Sequence, residues 1–106
     1  MSDQDLYAGL IRIHVLYHAK REGVYGMWMI QELRRHGYRV GPGTIYPILH
    51  RLRAKRYLSC ETKRVAGKVR HYYRITARGQ AHLTHVSEKV RELYEELFED
   101  GDHHDG

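Results

Sequence analysis

The sequence is short of several things at once. Its 106 residues hold one cysteine, two prolines, one tryptophan and one phenylalanine. A single cysteine, Cys60, excludes an internal disulfide and fits a reducing cytoplasm, which is the expected location. No apolar run approaches the roughly 18 residues of a membrane span, so no membrane partner is expected. The opening MSDQDLYAGL lacks the basic-then-apolar layout of a signal peptide. No Ser/His/Asp or Cys/His set stands at a recognisable spacing and no glycine loop could cradle phosphate, so an enzyme is not expected. Histidine pairs do occur at His14/His18, His82/His85 and His103/His104. With nine histidines such spacings arise by chance, so neither a metal nor another cofactor is expected. The last shortage is acid in the middle of the chain. Residues 41–80 carry ten Lys/Arg against one Asp/Glu, whereas residues 81–106 carry two against eight. A block so basic is the footprint of a polyanion binder.

What is present is helical periodicity with sharp punctuation. From Asp5 to about Arg21, Leu6, Leu10, Ile13, Leu16 and Tyr17 recur at helical spacing. A second helix is expected from Gly26 to His36, with Gly37 as its left-handed C′ residue. A third follows GPGT, where Ile45, Ile48, Leu49 and Leu52 lie at i, i+3, i+4, i+7. With Gly43 or Thr44 as N-cap, Pro47 falls in the first turn, where it costs little. Tyr57–Thr62 and Val69–Ile75 read as strands joined through KRVAGK, a β-hairpin with a basic tip. Thr76 is a natural N-cap for a last helix in which Leu83, Val86, Val90, Leu93 and Leu97 alternate steps of three and four. A domain this small does not need so long a seam, and a second subunit is the simplest use for it.

Three short helices, a hairpin and a long helix give a mainly α fold with a small β-hairpin: a winged helix-turn-helix plus a C-terminal dimerisation helix. The expected division is 1–76 for the winged helix-turn-helix domain, 77–100 for the dimerisation helix and 101–106 for a disordered acidic tail. The third helix would enter the major groove of double-stranded DNA and the wing would touch the backbone. Its outward face carries Tyr46, Pro47, His50 and Arg51, with Arg53 and Lys55 at the flanks. Thr44 sits at its start and Lys63, Arg64, Lys68 and Arg70 on the wing, where contacts go mainly to phosphates. Tyr72 and Tyr73 alternate faces, so one is core and the other surface. A winged helix used only for protein–protein contact is the alternative, and Arg51→Ala separates the two by which binding it abolishes.

The run Gly43-Thr44-Ile45-Tyr46-Pro47-Ile48-Leu49-His50-Arg51-Leu52 resembles the G-T-[LI]-Y-P-x-L-x-R-L signature of the PadR-like transcriptional regulators. Arg70-His71-Tyr72-Tyr73-Arg74-Ile75-Thr76-Ala77-Arg78-Gly79 is similar to that family's [RK]-x-Y-Y-x-[LI]-T-x-x-G, and Gly26 matches the glycine opening its second helix. The resemblance spans roughly residues 8–98. It implies a homodimeric repressor of the short form, with the C-terminal helix packed on the partner's first helix, where Leu6 and Leu10 lie. It also implies release from a pseudo-palindromic site by a small-molecule effector near the interface. On that analogy Met27, Trp28 and Met29 line an adaptable apolar pocket; otherwise they are core. The chain departs from the family at Arg56, where Gly is usual, at Arg53, where Glu is frequent, and at Met27, where an aromatic is frequent.

Overall fold

The structure, a computed structural model, describes residues 3–99, with side chains from residue 7 onward. The elements run α1 (Asp3–Arg21), β1 (Val24–Tyr25), α2 (Gly26–Arg35), α3 (Pro42–Ala54), β2 (Leu58–Val65), β3 (Lys68–Ile75) and α4 (Ala77–Tyr94), with a π-helical turn over Glu95–Glu99. The acidic tail expected over 101–106 and the side chain of Leu6 lie outside the described residues.

The core forms where the periodic apolar faces meet. Ile11, Val15, Leu16 and Ala19 of α1 pack with Met29, Ile30 and Leu33 of α2 and with Ile45, Ile48, Leu49 and Leu52 of α3. Val24, Leu58 and Tyr73 close it from the sheet and Leu83 from α4. Each Val, Leu, Ile or Met among them contributes about 1.5–3 kcal/mol when fully buried. No buried polar side-chain atom among the described residues lacks a partner.

The sheet has three antiparallel strands in the order β1-β3-β2, so the expected hairpin carries an extra strand. Val24 and Tyr25 pair with Tyr73 and Tyr72. Two residues are too few for alternation to show in a sequence. The hairpin is also longer than expected, closing on a two-residue Ala66-Gly67 turn with both φ positive. Lys63 and Arg64 belong to β2, not to the loop. From Glu61 to the tip, β2 is exposed, so no apolar alternation marks it. Tyr73 is the core member of its pair and Tyr72 is half-buried.

α3 starts earlier than expected. Gly41 is the N-cap and Pro42 the first helical residue, a position that suits proline. Pro47 therefore lies inside the helix, where it removes the hydrogen bond to the Gly43 carbonyl. Pro47 and Gly43 are both exposed. Water can serve the orphaned carbonyl.

α2 and α3 end alike. Tyr38 N–H donates to the Leu33 carbonyl and Gly37 N–H to the Arg34 carbonyl, both at 3.0 Å. Tyr57 N–H donates to the Leu52 carbonyl and Arg56 N–H to the Arg53 carbonyl, both at 2.9 Å. Both are Schellman motifs, whose C′ residue is left-handed. Gly37 takes φ 90° freely, but α3 uses Arg56 at φ 64°. A left-handed non-glycine residue costs roughly 1–2 kcal/mol. Arg56→Gly is expected to raise stability by about 1 kcal/mol, read as a higher urea midpoint at unchanged m-value; an unchanged or lower midpoint would show that the Arg56 side chain offsets its backbone.

Candidate nucleic-acid interface

The sequence places a cationic row on one side of α3 because Ile45, Ile48, Leu49 and Leu52 occupy the other. Pro47, His50, Arg51, Arg53 and Lys55 are exposed, while Thr44 and Tyr46 are half-buried. On the wing Lys63, Arg64 and Lys68 are exposed and Arg70 is half-buried. Among the described residues Arg51, Arg53, Lys55, Arg64 and Lys68 enter no ion pair. Lys63 is engaged, with its Nζ 4.1 Å above the Tyr72 ring and 3.8 Å from a Glu61 carboxylate oxygen. α3 and the wing thus present uncompensated cations from two elements.

The apolar seam of α4 divides. Leu83 is buried against its own protomer at 6% exposure and Val86 is half-buried. Val90, Leu93 and Leu97 stand open, Leu93 at 55% and Leu97 at 61%. Tyr94 and Phe98, not singled out from the sequence, extend this stripe. Leu10, Tyr7 and Tyr17 are exposed on α1. α1 is apolar on two sides, one facing the core and one exposed, which is the pattern of a helix with two neighbours.

A sequence profile described as the transcriptional regulator PadR-like family matches residues 15–85. The chain belongs to the PadR-like family of transcriptional regulators. It is 48% identical over 88 residues to the transcriptional regulator Rv3488 of Mycobacterium tuberculosis, covering 83% of this chain and 82% of that one. Among solved structures it is similar to smu.1704 from Streptococcus mutans, at 27% identity and TM-score 0.81, covering 92% of this chain and 90% of that chain. It is also similar to a PadR family transcriptional regulator from Eggerthella lenta, at 30% identity and TM-score 0.78, covering 88% and 82%. The Mycobacterium tuberculosis and Eggerthella lenta proteins are both transcriptional regulators by name.

The PadR-like motifs acquire physical reasons in the structure. Tyr46 lays its ring on α2 where Gly26 has no side chain, and a Cβ there would overlap the ring. Gly79 lets the start of α4 sit on the Tyr57 carbonyl, which a Cβ would strike. The Thr76 hydroxyl accepts from Gly79 N–H at 3.0 Å and donates to the Arg56 carbonyl at 2.6 Å. Arg78 Nε donates to the Lys55 carbonyl at 3.0 Å, and its guanidinium lies 5.3 Å from the centre of the Tyr57 ring. α4 is therefore bolted to the C-terminus of α3.

Of the three residues considered for ligand lining, Met29 is fully buried in the core, while Met27 and Trp28 are exposed. Trp28 stands edge-on to His18 with ring centroids 5.2 Å apart. His18 belongs to a cluster that spacing alone did not reveal. His14 and His18 on α1 face Glu32 on α2 and His36 at its C-cap. Glu32 Oε2 lies 3.7 Å from His18 Nε2 and 3.2 Å from His36 Nε2, and Arg35 Nε holds Oε1 at 3.2 Å. Burial holds the His14 pKa below the ordinary histidine range, helped by the His36 and His18 charges against the pull of Glu32. Burial likewise lowers His18, opposed by Glu32.

Gly26→Ala is expected to cost about 1–3 kcal/mol through overpacking against Tyr46. Chemical denaturation checks this, and Gly26→Ala/Tyr46→Ala should recover part of the loss. A single variant as stable as the parent would show that the ring moves aside freely.

Proposed function

We propose that this PadR-like regulator is a cytoplasmic homodimer that represses transcription by binding a pseudo-palindromic DNA site and is released from it by a signal. The observation that carries the reading is the pairing of two surfaces: cations on α3 and the wing, most of them outside any ion pair among the described residues, and an exposed apolar stripe along α1 and the end of α4. In a two-fold dimer built on that stripe, the two α3 helices would enter successive major grooves about 34–36 Å apart. Arg51 and His50, with Tyr46 at the edge, are assigned to bases. Thr44, Arg53, Lys55, Lys63, Arg64, Lys68 and Arg70 are assigned mainly to phosphates. Residues 1–76 form the DNA-binding part and 77–100 the dimerisation helix, with Leu6 and Leu10 in the partner's reach and Leu83 serving the protomer core. A signal that tilts α4 moves α3 with it, because the Thr76 and Arg78 hydrogen bonds join the two. A groove-docked pair tolerates little change in spacing, so DNA is released.

Fluorescence anisotropy across a salt series tests this, using duplex from upstream of the protein's own gene against a shuffled duplex. Preference for the native duplex at physiological salt is expected. Arg51→Ala should remove that preference and cost about 1–3 kcal/mol of specific affinity. Arg64→Ala/Lys68→Ala should weaken both duplexes alike and reduce the salt slope by about 2. Equal, weak binding to both duplexes by the parent would sink sequence-specific regulation.

Leu93→Asp buries a charge in the proposed seam and should yield monomers by sedimentation velocity while the helical CD signal is kept. A dimer that survives this change would place the interface elsewhere.

A further inference from the structure

We propose that the hollow between α1, the C-terminal half of α3 and the start of α4 binds a phosphorylated small molecule of nucleotide size, and that this ligand competes with DNA. The hollow has a volume of about 370 Å³ and is bordered by Arg12 of α1, by Arg51 and Lys55 at the end of α3, and by Tyr57 and His82. That volume lies within the roughly 300–1,000 Å³ of small-molecule sites. Arg51 and Lys55 are i, i+4 and so share one side of α3. Arg12 stands far from both in the chain, and only the packing of α1 beside α3 brings the three together.

Charge makes the hollow chemically specific. Its border carries three fixed cations and no carboxylate. Among the described residues Arg12, Arg51 and Lys55 enter no ion pair. Like charges gathered round one concavity repel, and a bound anion relieves that repulsion. A single carboxylate would leave surplus positive charge there, whereas a phosphoryl or pyrophosphoryl group matches it. The arginine fork takes two phosphate oxygens at once and lysine adds a point charge. Arg12 is half-buried, and a charge partly shielded from water attracts an anion more strongly than an exposed one.

The rest of the border suits an organic body. Ile13 and Val86 supply apolar surface, and the parallel rings of Tyr57 and His82, 4.4 Å apart, form a flat edge. Gly9 also lies on the border, and a Cβ there would meet nothing within 4 Å, so that side stands open. The regulatory consequence rests on the reading of Arg51 and Lys55 as DNA contacts; the binding itself does not. An occupied hollow engages both cations, so ligand and DNA lower each other's affinity by the same factor.

Calorimetry of the full chain without DNA tests the site, with ATP, pyrophosphate and adenosine as probes in magnesium-free buffer. One ATP or pyrophosphate per chain is expected, and no heat from adenosine. Arg12→Gln should lower the affinity for both by roughly 10-fold or more, the worth of a charged hydrogen bond. Gly9→Leu keeps every charge but fills the open side, and should abolish ATP binding, with CD confirming the fold. Arg64→Ala/Lys68→Ala on the wing should leave ATP binding intact. Binding that survives both Arg12→Gln and Gly9→Leu, or that falls as far in the wing variant, is diffuse attraction and overturns the site. Equal heat from adenosine overturns the phosphoryl assignment. If neither ATP nor pyrophosphate gives heat while Arg12→Gln weakens duplex binding, the hollow serves a DNA phosphate and the free ligand is overturned. Anisotropy then reads the competition. Saturating ATP should weaken the native duplex by roughly 5–150-fold, the worth of one base contact, against sulfate at equal ionic strength. ATP binding without that effect overturns the competition, whereas a parent protein that shows no duplex preference strikes the regulator reading and leaves the calorimetric result standing.

Discussion

The Thr76 hydroxyl is the constraint on which the arrangement of this molecule depends. It caps α4 by accepting from Gly79 N–H and, with its own hydrogen, holds the carbonyl of Arg56 at the end of α3. Thr76 N–H adds a bond to the Tyr57 carbonyl at 3.0 Å. One residue thus satisfies orphan groups at two helix ends and fixes the angle between them. Gly79 permits the approach, Arg78 reinforces it, and the stacked rings of Tyr57 and His82, 4.4 Å apart, fill the corner. α4 is an extension of the winged-helix half, not an appendage on a hinge.

Much of this was legible from residue types because local preference and burial agree. The 3.6-residue spacing of Ile45, Ile48, Leu49 and Leu52 is the buried face of α3, Gly37 is the left-handed cap, and Thr76 is the N-cap. The differences arise where one signal had two meanings. Pro42 reads equally as loop punctuation or as the first residue of a helix, and the second reading moves Pro47 into the interior. Lys63 and Arg64 look like loop residues only because an exposed strand has no apolar face to declare it. β1 exists because β3 offers an edge, which is a tertiary fact.

The surfaces were legible unevenly for the same reason. Cations opposite a buried stripe must be exposed, so the row on α3 follows from the helical wheel. A heptad-like seam does not say which neighbour it meets, and Leu83 turns inward while Leu93 and Leu97 do not. The histidine cluster could not be read from His14 and His18, since its other half lies on α2 and is brought near only by packing. Tyr46 shows the converse: its place in the PadR motif is explained by the missing side chain at Gly26, twenty residues earlier.

One consequence concerns how the molecule moves before it touches anything. The chain is elongated, 59 × 29 × 22 Å, with cations on α3 and the wing that enter no ion pair among the described residues, and with Glu92, Glu95, Glu96 and Glu99 toward the end of α4. Opposite charges held on different elements of one body make an electric dipole. In the field of a polyanion such a body feels a torque as well as a pull, and it turns its basic face forward while still within a Debye length or so of the surface. Fewer encounters are then wasted in the wrong orientation. The acidic helix end, which contributes nothing to the cationic face, acts as the tail of a weathervane.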